Sequence, residues 1–138
     1  MGAYPECYLE EIVETQGKLF ELVADKHSVD FEDFINHYMT GRTRHFLDKS
    51  DAYVSNLNEK ELFEYFCQVD NYVLKKGKSL TGFAPNWIGQ FYAQSQWQKN
   101  IPSNVLVSLL PPQFLKAAYA GLHDLELDLA VEKVLAKQ

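Results

Sequence analysis

The chain has 138 residues, of which 46% are hydrophobic and 14% aromatic, and its formal net charge is −6. This composition is far too apolar for a disordered chain. The length predicts a single domain, residues 1–138, which can bury about two-thirds of its unfolded surface without disulfides or metals. The excess of acid argues against a general affinity for nucleic acid, because a negative surface repels phosphates.

The negative charge is concentrated near the N-terminus. Residues 1–35 hold nine carboxylates against two lysines, whereas residues 36–138 hold ten acids and eleven bases. Acids at helical spacing usually form a solvated helix face, and the alternative interpretation is a surface that meets a basic partner. For that second interpretation we select Glu10, Glu14 and Glu21 as candidate contacts.

The cysteines and the hydropathy pattern indicate a cellular location. Cys7 and Cys67 are the only cysteines, and their spacing fits neither a metal site nor a CxxC redox motif. Two thiols without a disulfide framework are typical of a reducing cytosol. Residues 1–11 carry acids and no signal-peptide core, and no apolar run is long enough to span a membrane. We therefore expect a cytoplasmic protein.

Apolar residues recur at helical spacing through the first half of the chain and predict four helices. Gly17 interrupts the first at a cost of about 1 kcal/mol relative to Ala, and one interpretation is that it lets a second helix approach closely. Asn58 and Glu61 have the spacing of a capping box at the start of the fourth. The expected helices cover residues 5–25, 30–39 with Ser28 or Asp30 as cap, 43–49, and 58–76.

The second half predicts four more helices, separated by proline and glycine. A loop over residues 77–83 leads to a helix opened by Ala84-Pro85-Asn86 and ended by residues 100–102. Ser103 is expected to cap a short helix, which Pro111 and Pro112 end. The next helix should end near Gly121, and Asp124 should cap the last one.

No segment alternates with a period of two, and the hairpin dipeptides Asn-Gly and Asp-Gly are absent. Short connections between many helices are typical of one compact body. The sequence therefore predicts an all-α fold, a single multi-helix bundle of about seven or eight helices, some of them short.

The sequence holds no local pattern of a catalytic or metal centre. The four histidines stand at no ligand spacing from one another or from a cysteine, and HExxH, nucleophile-elbow, phosphate-loop and dinucleotide motifs are absent. His37 and His45 instead have the spacing to meet Asp33 and Asp48 on a helix surface. We predict a protein that is not an enzyme and has no catalytic residues, cofactor or metal.

The two arginines of the chain, Arg42 and Arg44, lie together in residues 40–45. A guanidinium suits bidentate recognition of a carboxylate or phosphate, so the pair could recognise an acidic partner or anchor a nucleic-acid backbone. The competing interpretation is pairing within the chain, with Asp48 or with the acidic first helix.

Aromatic residues crowd the helix that begins at Ala84. Helical spacing favours a core position for them, although Trp and Tyr are also enriched at interface hot spots. Trp87 and Trp97 are ten residues apart, which places them about 80° apart around a helix. We expect Trp97, which has glutamines around it, to be the more exposed and to be a candidate partner contact.

Several strings of the sequence, taken in their order and spacing over residues 8–134, resemble a family of small bacterial proteins. The family is typically encoded beside toxins related to ADP-ribosyltransferases. The strings are Glu14-Thr15-Gln16-Gly17-Lys18-Leu19-Phe20, Asp33-Phe34-Ile35 with Tyr38-Met39, Leu47-Asp48, Trp87-Ile88-Gly89 with Tyr92, residues 111–119, and His123.

The resemblance implies a non-catalytic protein, the antitoxin of a toxin–antitoxin system, which neutralises an ADP-ribosyltransferase-like toxin by binding it directly. The acidic first segment would then dock in the basic cleft of a toxin that binds NAD or nucleotide phosphates. The alternatives are a helical nucleic-acid-binding regulator using Arg42 and Arg44, or a small-ligand-binding domain, and a homodimer is left open. The candidate partner contacts are Glu10, Glu14, Glu21, Arg42, Arg44 and Trp97.

Overall fold

The computed structural model describes residues 5–26 and 28–135, and the predicted all-α bundle is confirmed. Over these residues the chain forms nine α-helices and one short 3-10 helix (Glu6–Tyr8), without a strand. The helices are α1 (Leu9–Ala24), α2 (Phe31–Thr40), α3 (Arg42–Asp48), α4 (Ala52–Ser55), α5 (Glu59–Val69), α6 (Ala84–Lys99), α7 (Ser103–Leu109), α8 (Pro112–Leu122) and α9 (Leu127–Leu135).

Two of the predicted helix starts are confirmed by their capping bonds. The carboxylate of Asp30 accepts from the main-chain N–H of Asp33 at 3.0 Å. At α5, the Asn58 side chain accepts from the N–H of Glu61, and the Glu61 carboxylate accepts from the N–H of Asn58. Each bond satisfies a donor that a helix start would otherwise leave without a partner.

Helix α5 is shorter than predicted, because it ends at Val69 rather than near residue 76. Asn71 takes a left-handed conformation with φ of 52°, which breaks the helical path. The following loop then pairs with the segment before α2, where Gly77 donates its N–H to the carbonyl of Ser28 at 2.8 Å. A side chain at Gly77 would collide with Asp30, so this pairing requires glycine.

Two other predicted boundaries are wrong, and a short helix was missed. Ser103 is the first residue of α7 rather than its cap, since its N–H and hydroxyl both donate to Asp48. The last helix begins at Leu127, three residues beyond the predicted cap at Asp124. The connection over residues 50–57 contains α4, whose first turn is capped by the carboxylate of Asp51.

Helices α1 and α6 make the most extensive contact of the bundle, and glycines bring them together. A Cβ added at Gly89 would lie 2.5 Å from the carbonyl oxygen of Gln16 and 2.9 Å from Cγ of Phe20. A Cβ at Gly17 would lie 2.7 Å from Oδ1 of Asn86. The expectation that Gly17 admits a second helix is confirmed, because both backbones occupy space that a side chain would need.

Helix α6 is covered by its neighbours over most of its surface. Every residue from Ala84 to Trp97 except Gln90 is buried, because α1, α7, α8 and α9 surround the helix. Both tryptophans are buried, with Trp97 6% and Trp87 5% exposed, so the expected exposed position of Trp97 is not found. The angle between the two side chains did not distinguish them, because neighbouring helices cover both positions.

Arg44 lies in a buried polar network that joins α1, α2, α3 and α7. Its Nη1 donates to Oε1 of Gln16 at 2.8 Å, and the hydroxyl of Tyr38 donates to the same oxygen at 2.8 Å. Nε of Arg44 pairs with Asp48 at 3.3 Å, and Asp48 also accepts from Ser103. For Arg44 the intramolecular interpretation is therefore correct, because its charge is used inside the bundle.

Among the described residues, no single helix is long and apolar enough to cross a bilayer. Helices α7 and α8 meet the length and hydropathy criteria only when taken together, across a bend of 72°.

We predict that Gly89→Ala destabilises the protein by about 1–3 kcal/mol, because the added methyl overpacks the contact between α1 and α6. Gly121→Ala is the matched control: it also places Ala in a helix, and a Cβ there meets nothing within 4 Å. The control should gain up to about 1 kcal/mol from helix propensity. Urea unfolding of both variants measures the difference, and equal effects would contradict the close crossing.

Removal of the buried guanidinium in Arg44→Met should lower the free energy of unfolding by about 3–5 kcal/mol, because it leaves Asp48 as a buried charge without its cation. Arg42→Met, the same exchange at an exposed arginine, should change it by less than about 0.5 kcal/mol. The double variant Arg44→Met/Asp48→Asn should lose less than the sum of its single variants. Additive losses in urea unfolding would contradict a coupled pair.

The buried tyrosine of this network predicts a loss of stability at alkaline pH. Burial raises the pKa of Tyr38 to about 12, although the neighbouring Arg44 cation partly opposes this shift. The contribution of the neutral, buried Tyr38 to the free energy of unfolding is fully present below the unfolded-state pKa of about 10. It is lost as the pH rises toward 12. In urea unfolding above pH 10, Tyr38→Phe should therefore lose stability with pH less steeply than the natural chain. The same slope in both proteins would contradict this.

Candidate functional site

Two of the three predicted acidic contacts, Glu10 and Glu14, lie along one side of a groove between α1, α6 and α9. The groove has a volume of about 490 Å³ and we call it the acidic groove. One side carries the carboxylates of Glu6, Glu10 and Glu14, and the other carries the amides of Gln90 and Gln94. Its apolar lining consists of Leu9, Val13 and Leu127.

Glu10 and Glu14 share one side of α1 because they are spaced four residues apart, and Glu6 precedes them in the 3-10 helix. Side chains at this spacing stack above each other on an α-helix, and like charges there repel by about 0.2–0.5 kcal/mol per pair. Among the described residues, only Glu14 of the three is partly compensated, by an exposed ion pair with Lys18 at 2.9 Å. Within the described part of the chain, no lysine or arginine lines the groove, so its charge is negative.

Glu21, the third predicted acidic contact, is not part of the acidic groove. It is half-buried, and its carboxylate accepts from Nδ2 of Asn86 at 2.7 Å. Asn86 in turn faces Gly17 across the contact between α1 and α6. Glu21 therefore helps to hold these helices together. Glu6, which was not selected from the sequence, is the third carboxylate of the acidic groove.

The two arginines point to different parts of the molecule. Arg44 is 1% exposed, whereas Arg42 is exposed and lines a depression of about 360 Å³ that we call the Arg42 notch. The nucleic-acid alternative required both guanidinium groups at the surface, and the burial of Arg44 removes one of them. The other residues of the notch are Met39, Thr40, Gly41, His45, Phe46, Asp48 and Asn104.

The start of α3, beside the Arg42 notch, is capped by a carboxylate from the end of α5. Asp70 accepts from the N–H of Arg42 at 2.6 Å through one oxygen. Its other oxygen accepts from the N–H of Thr43 at 3.1 Å and from the Thr43 hydroxyl at 2.7 Å. The first two main-chain donors at this helix start, the N–H groups of Arg42 and Thr43, are therefore already occupied.

The remaining candidates for chemistry are the histidines and the cysteines. The predicted pair of His37 and Asp33 is confirmed at 3.3 Å, on the surface of α2. No group of three or more His, Cys, Asp or Glu that could hold a metal is found there, and His27 lies outside the described residues. Cys7 and Cys67 are free thiols, and burial raises the pKa of Cys67.

Sequence reasoning found Glu10 and Glu14 but missed Glu6 and the second side of the groove. The four-residue spacing of Glu6, Glu10 and Glu14 was a usable signal for the first side. Gln90 and Gln94 also stand four residues apart, but only the packing of α6 against α1 makes them face the acids. Leu127 comes from a helix far along the chain, and no local pattern links it to the groove.

The two depressions differ in the chemistry that they offer. The acidic groove can accept cationic side chains, with amides and apolar groups beside the carboxylates. The Arg42 notch presents a cation beside polar groups and the Asp48 carboxylate, which pairs with Arg44. The comparisons with known proteins find no match, whether to a family model, to a curated protein or to a solved structure.

Proposed function

We propose that the chain is a non-catalytic, cytoplasmic protein that binds a basic partner protein through the acidic groove, and that it acts as the antitoxin of a toxin–antitoxin pair. The observation that carries the proposal is the alignment of Glu6, Glu10 and Glu14 along a groove whose described lining holds no cation. The resemblance of the sequence strings to antitoxin-like proteins supports the choice of partner.

Electrostatics favours a basic partner over other classes. A groove lined by charges of one sign focuses its potential, which speeds the approach of oppositely charged groups and repels nucleic acids. The amide nitrogens of Gln90 and Gln94 donate within α6, to Asn86 and Gln98, and a side-chain amide also carries an acceptor oxygen for a bound cationic side chain. Because Glu6 and Glu10 have no ion pair among the described residues, binding need not first break one.

The proposed mechanism of neutralisation is occlusion. A toxin that acts on NAD or nucleotides needs cations to hold the substrate phosphates. The carboxylates of the acidic groove would pair with those cations and keep the substrate out. This requires no catalysis by the antitoxin, only a rigid surface of the opposite charge.

The proposal predicts a toxin-like protein encoded beside this chain, and that protein is the partner to test. Charge reversal in Glu10→Lys/Glu14→Lys should weaken binding by about tenfold or more, equivalent to about 1.4 kcal/mol, because attraction to the partner becomes repulsion. Raising the salt concentration should weaken binding by the natural chain more than binding by this variant. Calorimetric titration of the purified proteins at two salt concentrations measures both effects.

The matched control is Glu64→Lys/Asp124→Lys, which makes the same change in net charge at exposed residues outside the groove. It should bind nearly as the natural chain does, and thermal unfolding by circular dichroism checks that both variants fold. Unchanged binding by Glu10→Lys/Glu14→Lys, or an equal loss in the control, would contradict a role for the groove. Failure of the natural chain to bind or neutralise the neighbouring protein would contradict the antitoxin assignment itself.

A further inference from the structure

The Arg42 notch is a second place where the molecule presents a charge without a partner. Arg42 is exposed, and none of the described residues forms an ion pair with its guanidinium. The carboxylate of Asp48, which also lines the notch, is already bound by Arg44 and Ser103. The carboxylate of Asp70 is bound by the main chain at Arg42 and by Thr43. The nearby acids are thus engaged elsewhere, and the guanidinium keeps its donors for a ligand.

We propose that the Arg42 notch binds the side-chain carboxylate of an Asp or Glu on a partner protein. A guanidinium presents paired donors that match the two oxygens of a carboxylate. Thr40, His45 and Asn104 place neutral polar groups beside Arg42, while Met39 and Phe46 supply apolar lining. The depression of about 360 Å³ lies at the small end of the range of ligand sites and has room for one side chain.

The occupied main-chain donors distinguish this ligand from other anions. Phosphate groups and terminal carboxylates are usually bound by clusters of free backbone N–H groups. Here the N–H groups of Arg42 and Thr43 both donate to Asp70, so such a cluster is not available. One guanidinium, beside an Asp48 carboxylate that already pairs with Arg44, also matches the single charge of a carboxylate better than the double charge of a phosphate.

The surface beside the notch indicates the surroundings of that carboxylate. Asn104, at the edge of the notch, belongs to α7, where Val105 and Leu109 are 45% and 43% exposed. At 100° per residue, these three side chains occupy an arc of about 140° on one side of α7. A bound acidic residue with apolar neighbours would therefore place them against Val105 and Leu109 while its carboxylate meets Arg42.

The chain has two arginines, so NMR of the full chain can observe the Arg42 Nε–Hε group with Arg44 as an internal reference. The probe is the capped peptide acetyl-Leu-Glu-Leu-amide. It should shift the Arg42 signal and the methyl signals of Val105 and Leu109 in a saturable way, and leave the buried Arg44 signal in place. The peptide with Gln in place of Glu should bind about tenfold more weakly, because it lacks the charge.

Variants and other anions complete the test. Arg42→Gln should abolish the response, and Arg42→Lys, which keeps the charge without the paired donors, should weaken it severalfold. Lys49→Gln is the matched control, since it removes another exposed cation near the end of the same helix, and it should bind as the natural chain does.

Equal responses to the Glu and Gln peptides, or an equal loss in Lys49→Gln, would overturn the proposal. Tighter binding of inorganic phosphate or of acetyl-Leu-Leu with a free carboxylate would also overturn it. None of these measurements involves Glu10 or Glu14, so their results are independent of the antitoxin proposal.

Discussion

The close contact between α1 and α6 is the constraint on which the rest of the structure depends. Gly17 and Gly89 allow the two longest helices to approach until each backbone meets side chains of the other. Once α6 is held there, α7, α8 and α9 pack around it and bury most of its surface. The acidic groove follows directly, because α1 and α6 are its two sides.

Carboxylates placed inside the bundle explain how a chain rich in acid still presents an isolated arginine. Asp48 holds the start of α7 and the charge of Arg44, and Asp70 holds the start of α3. Each of these acids satisfies main-chain donors of a helix distant in sequence, so it stabilises the packing of helices as well as their ends. The consequence is a separation of charge, with acids exposed along α1 and Arg42 exposed at α3.

Local patterns predicted the elements well, and long-range contacts account for the errors. The helical class, the caps at Asp30 and Asn58 and the approach at Gly17 were all readable, because each depends on residues within a few positions. The early end of α5 and the inward position of Ser103 depend on partners at residues 28 and 48, which no local pattern could reveal. The same reason explains the burial of Trp97, which depends on how many helices surround α6. Charge spacing likewise found one side of the acidic groove but not the glutamines opposite.

The close packing of four helices around α6 also bears on how the groove can change over evolutionary time. Because the helices on both sides are fixed by the interior, the separation of Glu10 from Gln94 does not depend on the identity of the exposed side chains. In the proposed function, recognition can then be altered by exchanging surface residues while the scaffold stays constant, and the partner meets a shape that needs little adjustment. Such an arrangement would let related chains diverge in the proteins they bind without changes in the residues that determine the fold.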